Sequence, residues 1–235
     1  MGFGYFYGID ITYIVLVLPA VIFALIAQSR VNSTFKKYST LLNARGLTGA
    51  EVASRMLSAF GITDIRIENV SGNLTDHFDP KAKVIRLSDS VYNSRSVAAA
   101  GVAAHECGHA MQYAAGYGPI KLRNAIIPVC QLGSTLSTPM IILGFIFSWQ
   151  PIVDIGILFF ALATLFQLIT LPVEFNASRR ALATLTSAGI LSENEKNSAK
   201  KVLSAAAMTY VAALAVSLVQ LLRLILLFGG GRRRD

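Results

Sequence analysis

The chain has 235 residues, of which 54% are hydrophobic and only 14% are charged. Soluble globular proteins carry about 25% charged residues, so this composition excludes an ordinary soluble domain and favours an integral membrane protein. The formal net charge of +8 could indicate a nucleic-acid partner. Basic residues that collect on the cytoplasmic side of membrane spans explain the same charge more simply, and we expect no nucleic-acid partner.

Four apolar runs indicate how the chain meets the membrane. A helix needs about 20 apolar residues to cross the hydrocarbon core, and the runs at residues 11–29, 125–147, 155–173 and 202–222 have about that length. The first run follows Asp10 without a basic n-region or a cleavage site, which predicts a membrane anchor rather than a signal peptide. We therefore expect a mostly α-helical chain with about four membrane helices.

The one extended water-soluble stretch lies between the first two runs, at about residues 30–123. In it, LTGAEVASRMLSAFG predicts a helix, because Thr48 and Glu51 can form a capping box and Gly61 follows the last turn. The segments IRIEN and KVIRLSD alternate apolar and polar residues, as half-buried strands do. We expect them to form a small β-hairpin or sheet beside a second helix at about residues 96–113.

That second helix carries the segment HECGH. His105 and His109 are four residues apart, so both side chains project from one helix face and can share one tetrahedral metal ion. Glu106 then lies beside the metal, within reach of a bound water. This is the H-E-x-x-H arrangement of zinc proteases, in which the glutamate is the general base. The sequence predicts a Zn²⁺ site with Glu106 as its catalytic residue, against the alternative of a surface helix that happens to carry these residues.

A catalytic zinc ion needs a third protein ligand and an open fourth position. His77 and several carboxylates compete for this role. Glu174 stands out, because it follows the third apolar run, in TLPVEFNASRRA, on the membrane face expected for the soluble stretch. The alternative is an acidic residue that only marks a helix end. Cys107 and Cys130 show no metal-ligand spacing and are interpreted as small apolar core residues.

Basic residues set the expected orientation in the membrane. They are concentrated at residues 30–123 and 174–201, which share one face if all four runs span, and that face is predicted to be cytoplasmic. The same topology places Arg223 inside the bilayer and the tail arginines, Arg232 to Arg234, outside. Either snorkelling arginines tolerate this placement or the last run ends shallowly or lies in the interface.

Several segments together point to a known family. LTGAEVA, LTDHFDP, VIRLS, AAHECGHAMQ and LPVEFNASRRA resemble the YugP-type bacterial neutral zinc metallopeptidases, membrane gluzincins related to the HtpX and CAAX-prenyl-protease type, over most of residues 40–215. The resemblance implies one membrane metallopeptidase domain over residues 1–235, with zinc on His105, His109 and Glu174 and with Glu106 as the base.

One position departs from the wider gluzincin pattern. That pattern has an aspartate four residues after the ligand glutamate, where this chain has Ser178. Such an aspartate would orient a ligand histidine. Ser178, Asn176 or another group must do so here.

The leading functional prediction is a membrane zinc endopeptidase that hydrolyses peptide bonds. The alternatives are a non-enzymatic scaffold or transporter with a structural or absent metal, and a zinc hydrolase with another substrate. The apolar runs hold few ionisable residues for an ion pathway, and a structural zinc site would not need Glu106. Both observations favour the enzyme.

Two further roles are predicted with open alternatives. Tyr210 or His77 could stabilise the oxyanion, although Tyr210 could equally be an interfacial aromatic and His77 a turn residue held by Asp76 or Asp79. The edge of the strand VIRLS could pair with an extended or unfolded peptide substrate, or the strand could be paired internally. Substrate identity, oligomeric state and any adaptor are left open.

Overall fold

A computed structural model describes residues 11–228 of the chain. The tail arginines, Arg232 to Arg234, lie outside the described residues. The described residues form seven α-helices and three β-strands: α1 (Leu18–Ser39, preceded by a π-helical segment at Tyr13–Val17), α2 (Gly49–Ala59), β1 (Arg66–Val70), β2 (His77–Asp79), β3 (Val84–Ser88), α3 (Asp89–Tyr92), α4 (Val97–Ala114), α5 (Gly118–Ile146), α6 (Gln150–Ser187) and α7 (Glu193–Phe228).

Four helical segments confirm the prediction of four membrane helices. Tyr13–Ser39, Gly118–Ile146, Gln150–Ser187 and Glu193–Phe228 are each long and apolar enough to cross a membrane. Each overlaps one of the predicted runs and extends beyond it at one end or at both. Many of their large apolar side chains are exposed, among them those of Leu25, Phe145 and Leu158, which suits contact with lipid tails.

The third of these helices is longer than its apolar run suggests. The run ends at Val173, but α6 includes Pro172 and continues past Glu174 to Ser187. Membrane helices tolerate proline where neighbouring groups satisfy the freed backbone. Glu174 therefore lies within a helix rather than at its end, which holds its side chain in a fixed direction.

Contacts divide the chain into two compact units. The first comprises Met1–Ala27, Leu122–Leu171 and Thr209–Asp235, and the second comprises Gln28–Lys121 and Pro172–Met208. The single domain expected over residues 1–235 stays a prediction. All three strands and all predicted metal ligands belong to the second unit.

The sheet of the second unit has the order β1-β3-β2, with β1 parallel and β2 antiparallel to β3. The small predicted sheet is confirmed, but the two predicted strands, β1 and β3, pair in parallel and form no hairpin; the hairpin consists of β2 and β3. The strand β2 lies in the link between the two predicted strands and is not predicted, because three residues are too few to show an alternating pattern. Since VIRLS is the central strand, its edges are both paired. The expectation that a substrate pairs with VIRLS is therefore wrong, and the alternative of internal pairing holds.

The core of the second unit lies between α2, α4 and β3. The predicted capping box is present: the Thr48 side chain accepts from the Glu51 amide, and the Glu51 carboxylate accepts from the Thr48 amide. Val52 and Met56 of α2 are fully buried, and burial of such a side chain contributes about 1.5–3 kcal/mol. Small residues of α4 complete the core, so this helix packs closely on its neighbours.

Candidate metal centre

The helix α4 carries the HECGH segment and begins where the sequence predicts. The Ser96 hydroxyl accepts a hydrogen bond from the Ala99 amide at 3.1 Å, which caps the first turn. The helix then runs without interruption over Val97–Ala114. His105 and His109 therefore lie one turn apart on the same face, with their rings edge-to-face and their centroids 4.7 Å apart.

Glu174 of α6 meets both histidines. Its Oε2 lies 3.2 Å from Nε2 of His105 and 3.5 Å from Nε2 of His109. Among the described residues, these three form a group of His, Cys, Asp or Glu side chains that could hold a metal ion, with their ligand atoms within 4.8 Å of one another. The Glu174 side chain is 3% exposed, that of His109 10% and that of His105 15%.

The donor set suits zinc. Two imidazole nitrogens and one carboxylate oxygen are ligands that catalytic zinc sites use. Ligands at about 2.0–2.1 Å from a tetrahedral ion stand about 3.3–3.4 Å apart, and the two donor separations at Glu174 Oε2, 3.2 and 3.5 Å, bracket that spacing. With three protein donors, the tetrahedron keeps its fourth position open.

A glycine allows α4 to approach α6 this closely. A Cβ on Gly108 would collide with the Ala177 carbonyl oxygen and would lie 2.9 Å from its carbonyl carbon. Backbone of α6 therefore occupies the space where a side chain would stand. Gly108 lies between the two histidines, and Ala177 lies one turn after Glu174, so this contact sets the distance between the predicted ligands.

We expect Gly108→Ala to lower both stability and zinc affinity. The added methyl must separate α4 from α6, because backbone atoms cannot move aside as a flexible side chain can, and such overfilling costs about 1–3 kcal/mol. Unfolding in detergent and zinc titration measure the two effects. Gly118→Ala is the matched control, since a Cβ at Gly118 meets nothing within 4 Å. Equal stability of the two variants would contradict the close contact at Gly108.

The second nitrogen of each histidine also has a partner. His105 Nδ1 lies 3.1 Å from the Ser178 hydroxyl, so Ser178 stands where the orienting aspartate of the wider pattern is expected. Asn176, the other predicted candidate, reaches His109 only through Gln112, whose Oε1 lies 3.1 Å from His109 Nδ1. Gln112 is not among the predicted residues. The available signal is its position three residues after His109, on the same helix face.

Negative charges near the site change the pKa of His109. Burial disfavours the protonated imidazole, but the hydrogen bond that its Nε2–H donates to Glu174 and the negative charges of Glu106 and Glu174 outweigh burial and raise the pKa of His109. Glu106 itself is 7% exposed and lies outside the three-residue group. Protons therefore compete with a metal for His109 at higher pH than for an ordinary histidine, and metal binding should weaken as pH falls.

Other residues considered from the sequence have different surroundings. His77 is exposed on β2, where its Nδ1 lies 2.9 Å from the Thr75 carbonyl oxygen and its Nε2 3.4 Å from Arg86 Nη1, rather than on Asp76 or Asp79. Cys107 is buried, and burial raises the pKa of its thiol, which disfavours the thiolate that metal binding requires. Tyr210 lies on α7 within the first unit.

A helical membrane protein with a zinc-compatible site agrees with the comparisons with known proteins. The chain belongs to the family described as "Putative neutral zinc metallopeptidase", whose model matches residues 13–229. It is 46% identical over 220 residues to "Putative membrane protease YugP" of Bacillus subtilis (strain 168), which covers 94% of this chain and 98% of that protein. No solved structure matches the chain.

Proposed function

We propose that this protein is a membrane-embedded zinc endopeptidase in which His105, His109 and Glu174 hold the metal and Glu106 is the general base. The observation that carries the proposal is the convergence of three zinc-type donors from α4 and α6, with a glutamate directly after the first histidine. Membership in a zinc metallopeptidase family supports hydrolysis as the chemistry. A structural metal site would not require Glu106.

Each residue has a separate part in the proposed reaction. Zinc, when bound, lowers the pKa of a water and polarises the scissile carbonyl. Glu106 accepts the proton of the attacking water on its carboxylate and later donates it to the leaving amine. Glu174 offsets part of the positive charge of the site. The burial of Glu174 and His109 keeps bulk water from competing for their donor atoms.

The residue that stabilises the oxyanion stays a prediction. The contacts of His77 disfavour this residue as the oxyanion donor, because Nδ1 must donate to the Thr75 carbonyl and Nε2 must accept from Arg86. This arrangement leaves His77 no further N–H to offer. Tyr210 therefore remains the candidate for this role.

An extended or unfolded peptide segment is the proposed substrate. Main-chain pairing with a sheet edge would position such a segment while reading little of its sequence. Because β3 is paired on both sides, the edges of the described sheet are β1 and β2, and β2 is the one that packs against α4. We propose the β2 edge as the position of the substrate backbone.

Metal removal tests the proposed function. The protein purified in detergent should bind about one zinc per chain, hydrolyse an unfolded protein such as casein, lose hydrolysis after chelation and recover it when zinc is restored. Metal analysis and a fluorescent peptide-release assay measure these steps. Bound zinc without hydrolysis would support the scaffold alternative, and the absence of any zinc binding would refute the proposal.

The site is proposed to face the cytoplasm, because its residues belong to the basic segments at residues 30–123 and 174–201. Thiol labelling tests this, since both native cysteines are buried. In intact cells an impermeant thiol reagent should leave Ser71→Cys unlabelled and should label Ser148→Cys in the turn between α5 and α6. The reverse pattern would invert the proposed topology.

A further inference from the structure

Gln112 connects His109 to the helix that carries Glu174. Its side chain is fully buried. Its Oε1 lies 3.1 Å from His109 Nδ1, and its Nε2 donates to the Val173 carbonyl at 2.7 Å and to Asn176 Oδ1 at 3.0 Å. Arg180 Nε donates to the same Asn176 oxygen at 2.8 Å. Four side chains thus form one continuous chain of hydrogen bonds that ends at His109.

The direction of every bond in this chain follows from Arg180. A guanidinium can only donate, so Asn176 must present its oxygen to Arg180. The same Asn176 oxygen then needs an N–H from the Gln112 amide, and the Val173 carbonyl oxygen accepts the other N–H of that amide. Both protons of the Gln112 amide are thereby used, and only its oxygen remains for His109. An oxygen that can only accept requires a proton on Nδ1 of His109.

We infer that Gln112, oriented by Asn176 and Arg180, is a positioning residue that fixes His109 in the tautomer protonated at Nδ1. Nε2 then carries the lone pair, and Nε2 is the nitrogen that faces Glu174. Glu174 can accept a proton from Nε2 only when the ring is protonated on both nitrogens, so neutral His109 presents its Nε2 lone pair for metal binding before any metal arrives. The link to zinc rests on the proposed function, whereas the tautomer itself does not.

The two histidines differ in this respect. His105 meets the Ser178 hydroxyl, which can either donate or accept a hydrogen bond and so selects neither tautomer. His109 meets the Gln112 amide oxygen, which can only accept. The amide nitrogen cannot take its place, because it donates to both the Val173 carbonyl and Asn176 Oδ1. Of the two histidines, only His109 therefore has its tautomer set by its Nδ1 partner.

Nitrogen-15 spectra of the histidines test the inference directly. The chain has three histidines, so single replacements assign the signals of the full-length, metal-free protein in detergent, at alkaline pH where the rings are neutral. We expect His109 to be protonated at Nδ1 in the wild type and to become a mixture of tautomers in Gln112→Met. Zinc affinity of Gln112→Met should fall roughly 10- to 100-fold, as is typical when the partner of a ligand histidine is lost.

Two further variants separate orientation from general packing. Asn176→Asp keeps an oxygen acceptor for both Gln112 and Arg180, so it should retain the tautomer and the zinc affinity that Asn176→Leu loses. Thr184→Val is the packing control, because Thr184 is buried on α6 and its hydroxyl contacts only Met111 Sδ, at 3.9 Å, among the described contacts. It should leave both measurements unchanged.

The possible outcomes are distinct. An unchanged His109 tautomer and unchanged zinc affinity in Gln112→Met would overturn the inference, even if the wild type binds zinc and cleaves peptides. A wild type that binds no zinc would refute the proposed function, while the spectrum of His109 would still decide the tautomer. If Gln112→Met fails to fold, the comparison of Asn176→Leu with Asn176→Asp decides, and equal behaviour of those two variants would overturn the inference.

Discussion

Glu106→Gln should retain zinc and lose hydrolysis. Glutamine has nearly the same shape, and Glu106 is not one of the three side chains that converge on the proposed metal position. The glutamine amide cannot take up the proton of the attacking water, so kcat should fall by about 100- to 10,000-fold, the usual contribution of a general base. Metal analysis and the peptide-release assay on the same sample measure both quantities.

The half-buried Glu68 on the sheet provides the matched control for this substitution. It lies on β1 and pairs with Arg66 and Arg86, so Glu68→Gln should keep both zinc and hydrolysis. If Glu106→Gln binds zinc and cleaves at the wild-type rate, another group must be the base. If it loses zinc as well, then Glu106 has a structural part in the metal site that the three-ligand proposal does not include.

Glu174→Ala should abolish tight zinc binding. The substitution leaves two imidazoles without the only anionic donor among the three. Loss of a partner that merely orients a ligand weakens binding by roughly 10- to 100-fold, so loss of the ligand itself should weaken it by more than about 100-fold. Metal content after dialysis and zinc titration measure the effect, and hydrolysis should be lost with the metal.

Glu193→Ala serves as the comparison, because Glu193 begins α7, is exposed and pairs only with Lys196 among the described contacts. It should bind zinc like the wild type. Normal zinc content in Glu174→Ala would show that the third ligand is another residue. Glu174→Asp adds a graded test, since it keeps the carboxylate but withdraws it by one methylene, and we expect intermediate affinity.

The sequence predicts those parts of the molecule that local patterns determine. The capping box of α2, the start of α4 and the placement of His105 and His109 on one face each depend on a few neighbouring residues. The four membrane helices follow from apolar length. Polarity marks where a chain leaves the membrane rather than where a helix ends, which is why α6 continues beyond the run that predicts it.

The remaining features depend on contacts between distant segments. Glu174 is predicted from its position after an apolar run and from the family resemblance, but its approach to both histidines requires the fit of Gly108 against Ala177. A glutamine three residues after a histidine is unremarkable until the Val173 carbonyl and Asn176 are brought beside it. The parallel pairing of β1 with β3 likewise has no local signal, because it skips the strand between them.

The proposed ligands come from helices that are far apart in sequence, and this has a consequence for folding. A metal held by His109 and Glu174 would join α4 to α6 across the whole intervening chain. Such a link restricts the unfolded chain by closing a long loop, in the way a disulfide does. The ion would then have a second effect besides chemistry: it would act as a reversible cross-link, so that metal supply governs how firmly these helices stay together.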